Sequence, residues 1–91
     1  MWRGAAGATM TDDDLIARWI EPNPNKPWPA EVWLKGYAIS VWAIVGELRD
    51  PAVDPLQLAA EYRVPPEAIE AARAYYRRHQ CVIDNRLLAN A

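Results

Sequence analysis

Four arginines in the second half of the chain, Arg63, Arg73, Arg77 and Arg78, could neutralise phosphates. On a helix Arg73 and Arg77 fall one turn apart on the same face with Arg78 beside them, a spacing that anchors a nucleic-acid backbone rather than reading bases. Glu67 and Glu70 occupy the preceding turns, where a groove-docked helix would meet base edges. Acids there repel the backbone, although a glutamate can accept from a cytosine amino group. The competing reading of Arg77-Arg78-His79 is a solvated helix end that complements the dipole. Tyr75 and Tyr76 fit core or dimer packing better than base stacking.

Residues that could do catalysis are better explained otherwise. Ser40, the single serine, suits a helix cap more than a nucleophile, which would need a base beside it. His79 and Cys81 could form a thiol and base pair, but a surface histidine and a small buried cysteine explain them more simply. Asp12, Asp13 and Asp14 could suggest a metal, yet three adjacent acids on one helical turn point in different directions and read as a helix start. One cysteine forms no internal disulfide, and one cysteine with one histidine cannot fill a structural zinc site. The expectation is a protein with no enzymatic role, metal or cofactor, working in the reducing cytoplasm.

The elements that must position the arginines are mostly helices. Thr11 caps a first helix over about Asp12 to Ile20, in which Leu15, Ile16, Trp19 and Ile20 recur at helical spacing. Pro22, Pro24, Pro27 and Pro29 then make a strap with Trp28 as an anchor. Glu31 to Ile39, around Lys35-Gly36, suits a short strand or tight hairpin. Ser40 can cap a second helix with Val41, Trp42, Ile44, Val45 and Leu48 on its apolar face. Asp54-Pro55 starts a third helix running to Tyr62, and Pro65-Pro66-Glu67 starts a fourth that reaches about His79. A short last helix after Asp84 would present Leu87 and Leu88.

The third and fourth helices match a helix-turn-helix pair, which needs a small crossing residue, a sharp turn and apolar locks from both helices. Ala59 can be the crossing residue, Arg63-Val64-Pro65 the turn, and Ile69 and Ala72 the locks. Arg63 departs from the usual glycine at a positive-φ position, so a longer or differently bent turn is one alternative. A plain packed helical hairpin meets the same spacing.

Ninety-one residues with 52% apolar content allow one core of modest margin, to which dimerisation would add buried area. The expected fold class is mainly α: a small helical domain over residues 11–91, with the helix-turn-helix-like pair and a short β-hairpin. Residues 1–10 are expected to be a disordered lead, too short for a signal peptide, and Met10 competes with Met1 as the start. No run approaches the roughly 20 apolar residues that span a bilayer, so no membrane partner is expected. The net charge of −2 is unevenly spread: residues 11–62 hold nine acids against four bases, and residues 63–91 hold five bases against three acids.

Three segments, LIARWIEPNPNKPWPAEVWLKGYAISVWAIVGEL, LQLAAEYRVPPEAIEAARAYYRRH and VIDNRLLAN, together run from Leu15 almost to the end. Their Ala-Ala-Glu-Tyr, Pro-Pro-Glu-Ala-Ile and Ala-Tyr-Tyr elements resemble the bacterial family catalogued as domain of unknown function 433, whose members look like antitoxins of toxin-antitoxin pairs. The resemblance implies a winged or helix-turn-helix-like domain, often a homodimer, encoded beside a nuclease-like toxin. This chain departs from the pattern in its acidic N-terminal half and in having no separate toxin-binding extension after Leu88. A toxin contact would then fall on helix one, the strap or the last helix. The leading expectation is a regulator that binds double-stranded DNA through Arg63, Arg73, Arg77 and Arg78. The alternative is a protein-interaction module with Trp28, Trp33, Tyr37, Trp42, Tyr75 and Tyr76 as its aromatic surface.

Overall fold

The computed structural model describes residues 10–90. All of the expected lead except Met10 lies outside the described residues. Helix α1 (Asp12–Trp19) begins in a capping box: the Thr11 hydroxyl accepts from the Asp14 amide at 3.1 Å, and the Asp14 carboxylate accepts from the Thr11 amide at 3.2 Å. Ile20 turns extended and opens β1 (Ile20–Glu21). The prolines that follow prevent a helix, and the Asn23 side chain steadies the strap by accepting from the Asn25 amide at 2.9 Å. A single 3₁₀ turn (Pro29–Glu31) leads into β2 (Trp33–Leu34).

Strand β2 pairs antiparallel with β1, Ile20 opposite Leu34 and Glu21 opposite Trp33. The tight hairpin expected around Lys35-Gly36 is present as well: Trp33 bridges antiparallel to Ser40, the Leu34 amide donates to the Ile39 carbonyl at 2.9 Å, and the Val41 amide donates to the Val32 carbonyl at 3.0 Å. Its backbone visits positive φ at Gly36 and Ala38, and the Lys35 amide donates to the Trp19 carbonyl at 2.7 Å. Helix α2 (Val41–Leu48) starts as expected, but the Ser40 side chain makes no capping bond. Ser40 instead bridges to Trp33 through its backbone, and its carbonyl accepts from the Ile44 amide.

Helix α3 (Pro55–Tyr62) is capped by Asp54, whose carboxylate accepts from the Leu56 amide at 3.0 Å. Helix α4 (Pro66–Arg78) and helix α5 (Gln80–Ala89) are separated only by His79, at φ −136° and ψ 44°. The last helix thus begins before Asp84, because nothing after Pro66 breaks the helical run for more than one residue. Leu87 packs on the core while Leu88 is 76% exposed.

Helix α4 is the element on which the others pack. Ala68, Ala71, Ala72 and Ala74 are fully buried along it, flanked by Ile69 and Tyr75. Residues this small let neighbouring axes approach closely. Helix α1 runs antiparallel along α4, since Asp12 and Asp13 meet Arg77 and Arg78 at one end while Trp19 and Arg18 meet Glu67 at the other. Helices α2, α3 and α5 also pack on it, placing Val41, Ile44, Leu58 and Ile83 in the same core and leaving the side with Arg73, Arg77 and Arg78 exposed.

Helix α5 is clamped by Arg86, whose Nε donates to Glu31 at 2.6 Å while its guanidinium lies 4.1 Å from the centre of the Trp42 ring. Gly46 of α2 leaves room for Leu87, whose Cδ2 would lie only 3.0 Å from an added Cβ. Among the described residues no helix is long and apolar enough to cross a membrane.

Overfilling the alanine seam should be costly. Ala72→Leu is expected to lower the unfolding free energy by about 1–3 kcal/mol in urea titrations, whereas Ala60→Leu on the exposed side of α3 should stay within about 0.5 kcal/mol. Equal midpoints for the two variants would contradict the packing described.

Candidate nucleic-acid interface

The corner between α3 and α4 has the expected layout. Arg63 caps α3 in the left-handed region, at φ 60° and ψ 45°, and its amide donates to the Ala60 carbonyl at 3.1 Å. The next amide, of Val64, donates to the Ala59 carbonyl at 3.0 Å, and the Val64 side chain tucks into the core with Ala59, Ile69 and Ala72. An arginine thus adopts the conformation in which glycine was expected, at a cost of roughly 1 kcal/mol. The turn is no longer for it. Tyr62 braces the corner from behind by donating its hydroxyl to Glu47 of α2. Burial, and then that carboxylate, push the phenol up to about 12.

On α4, Pro66, Arg73, Arg77 and Arg78 are exposed, so the arginines face outward. Three of the four expected DNA contacts are, however, engaged within the chain. Arg77 makes a two-pronged pair with Asp12, at 3.0 Å from Nε and 2.8 Å from Nη2. Arg78 meets Asp13 at 2.7 Å, and Arg73 meets Glu70 at 3.2 Å. Arg63 has no ion pair among the described residues.

These pairs are roughly half exposed, and such pairs contribute about 0–1 kcal/mol each. A phosphate can therefore take over the guanidinium groups at small cost. The Arg77 hydrogen bond holds the Asp12 carboxyl below the usual carboxylate range; partial burial opposes this, and the charges of Arg77 and Arg78 reinforce it. Arg77 is raised in turn, chiefly by the same hydrogen bond.

Glu67 is committed to holding α1. Its carboxylate accepts from the Trp19 indole at 2.7 Å and pairs with Arg18 at 3.3 Å. With Pro65 and Pro66 beside it and Glu70 occupied by Arg73, the first turns of α4 offer phosphates and bases few free donors. The side chains that could reach a duplex are the arginines.

Most of the expected aromatic surface is built into the fold. Tyr75 is a core residue; its hydroxyl donates to the Pro29 carbonyl at 2.7 Å, burial raises its phenol, and its ring stacks on His79 at 4.2 Å. Tyr76 donates to Asp84 at 2.8 Å, Trp33 donates to Glu21 at 2.9 Å, and Trp42 lies beneath Arg86. Tyr75, Trp33 and Trp42 thus brace the domain, whereas Tyr76 is only partly covered. Trp28, at 60% exposure, and Tyr37, at 40%, remain outward. Cys81 is exposed, contrary to its expected burial, because α5 starts early enough to turn it to solvent.

Sequence reading placed Asp12 and Asp13 at a helix start and missed them as partners of Arg77 and Arg78. The available signal was an adjacent acid pair matching an adjacent base pair in a second helix. It also missed an open cleft of about 300 Å³ between α2 and α4, lined by Val45, Leu48, Arg49, Arg73, Tyr76, Arg77 and Gln80. Comparison with protein-family models, curated proteins and solved structures gives no match for the chain.

The depressed Asp12 carboxyl sets a pH dependence with a definite sign. A carboxylate lowered on folding stabilises above its unfolded value, near about 4, and that contribution fades as pH falls through the folded value. Asp12→Asn is expected to unfold at lower urea than the parent at pH 7 and to converge with it as pH falls through the folded value of Asp12. A gap that stays constant throughout acid titration would mean that ionisation of Asp12 plays no part.

Proposed function

We propose that this chain is a non-enzymatic DNA-binding regulator of antitoxin type, working in the cytoplasm as a homodimer and partnered by a toxin protein. The observation that carries the reading is the α3–α4 corner, in which Arg63 takes the left-handed cap, Val64 is buried, and Arg73, Arg77 and Arg78 project from the outer side of the second helix. The family resemblance of the sequence supports the antitoxin assignment. Glu67 and Glu70 are already engaged, so binding rests on phosphates and duplex shape more than on base edges. Affinity per monomer is then low, and a dimer placing two corners about one helical turn apart, roughly 34 Å, supplies the rest.

Binding to a duplex carrying the chain's own promoter is expected to fall steeply with salt, each phosphate contact adding about 0.9 to the logarithmic slope. Arg77→Ala combined with Arg78→Ala should weaken binding equally across sequences and flatten the slope by about two contacts. Absent or salt-insensitive binding would remove the DNA reading. One observation favours a second reading, a protein-interaction module: Trp28 stands 60% exposed on the proline strap. There, a complex with the neighbouring gene's product would survive the double arginine change and be lost in Trp28→Ala.

A further inference from the structure

The cleft between α2 and α4 combines an apolar floor with a cationic rim. Val45, Leu48 and the Tyr76 ring form the floor, while Arg49, Arg73, Arg77 and Gln80 form the rim. No carboxylate lines it. Arg73 and Arg77 lean on Glu70 and Asp12, which lie outside the lining, and the Tyr76 hydroxyl is turned to Asp84. Arg49, at the end of α2, has no ion pair among the described residues.

We infer that this cleft docks an acidic, leucine-bearing segment of a partner protein. Charge complementarity selects the acid, since Arg49, without an ion pair among the described residues, and Arg73 and Arg77, each paired outside the lining, border a recess that no carboxylate lines. The floor selects the apolar anchor, because a nucleic-acid backbone has no branched alkyl side chain with which to fill the space over Val45 and Leu48. The volume, about 300 Å³, lies at the small end of ligand pockets and suits one or two anchoring side chains of an extended segment. Carboxylates flanking those anchors meet Arg49 on one side and Arg73 and Arg77 on the other, where bidentate pairing gives the contact its orientation. This goes beyond the DNA reading and adds regulation to it: Arg73 and Arg77 serve both ligands, so the docked segment and a duplex exclude each other.

The probe is a fluorescein-labelled heptapeptide alternating Glu and Leu, with Glu/Ser and Lys/Leu heptapeptides as controls, read by anisotropy on the full chain. The Glu/Leu peptide is expected to bind, with both controls weaker by about tenfold or more. Arg49→Ala should weaken it by about tenfold and leave duplex affinity within about twofold, since Arg49 lies outside the α3–α4 corner. Arg49→Gln should behave in the same way, and a melting curve for each variant confirms that it folds. Unlabelled duplex should displace the peptide.

The proposal is overturned if the Glu/Leu peptide does not bind, if the Glu/Ser peptide binds equally well, or if both Arg49 variants bind the Glu/Leu peptide like the parent. It is also overturned if Arg49 is needed for duplex binding and not for peptide binding. Peptide binding by a chain that ignores DNA would sink the regulator reading and leave the cleft assignment standing.

Discussion

The small-residue face of α4 is the constraint on which the rest of the structure depends. Four fully buried alanines let α1 lie along this helix while α2, α3 and α5 also pack against it. A chain of 91 residues has little apolar area to spend, and packing every helix against one central helix is how this one closes a core. Val64 and Ala59 at the corner, and Arg86 over Trp42 at the far end, belong to the same arrangement: each fixes a neighbouring helix at the angle the alanine seam allows.

That packing also decides which charges can act. Because α1 runs antiparallel to α4, its acidic first turn lands on the basic last turn of α4, and its last turn lands on Glu67. The outer face of α4 is thus an arginine stripe held in readiness by the chain's own acids. Exposed ion pairs of this kind hold side chains in place without contributing much stability. On the DNA-binding reading proposed above, a polyanion would meet cations that are already positioned and need only exchange one partner for another. On the same reading the acids would lower the net attraction, which is why the proposal includes a dimer.

The parts of the fold written in neighbouring residues were legible in the sequence. The Thr11 cap, the Asp54-Pro55 start, the end of α3 at Tyr62 and the buried Val64 corner all depend on contacts within a few positions, and each stands where expected. What sequence reading missed depends on distant partners. Strand β2 pairs across the proline strap with residues before it, and Ser40, drawn into that small sheet by its backbone, leaves its hydroxyl out of the cap. Glu67 looked like a base-facing residue because its partner, Trp19, lies in another helix. The four arginines were singled out from their spacing, but the acids opposite Arg77 and Arg78 and the cleft beside Arg49 exist only once α1 and α2 are packed. Tyr75 and Tyr76 illustrate the same limit: the sequence left core and interface open, and the contacts to Pro29 and Asp84 place both in the fold.

The most direct test is the duplex affinity of a chain carrying Asp12→Asn and Asp13→Asn, measured at low and moderate salt beside the parent. If the acids of α1 compete with phosphates for Arg77 and Arg78, removing their charge should tighten binding several-fold at low salt, an advantage that shrinks as salt screens it. Unchanged or weaker binding at every salt concentration would contradict a DNA contact made through these arginines.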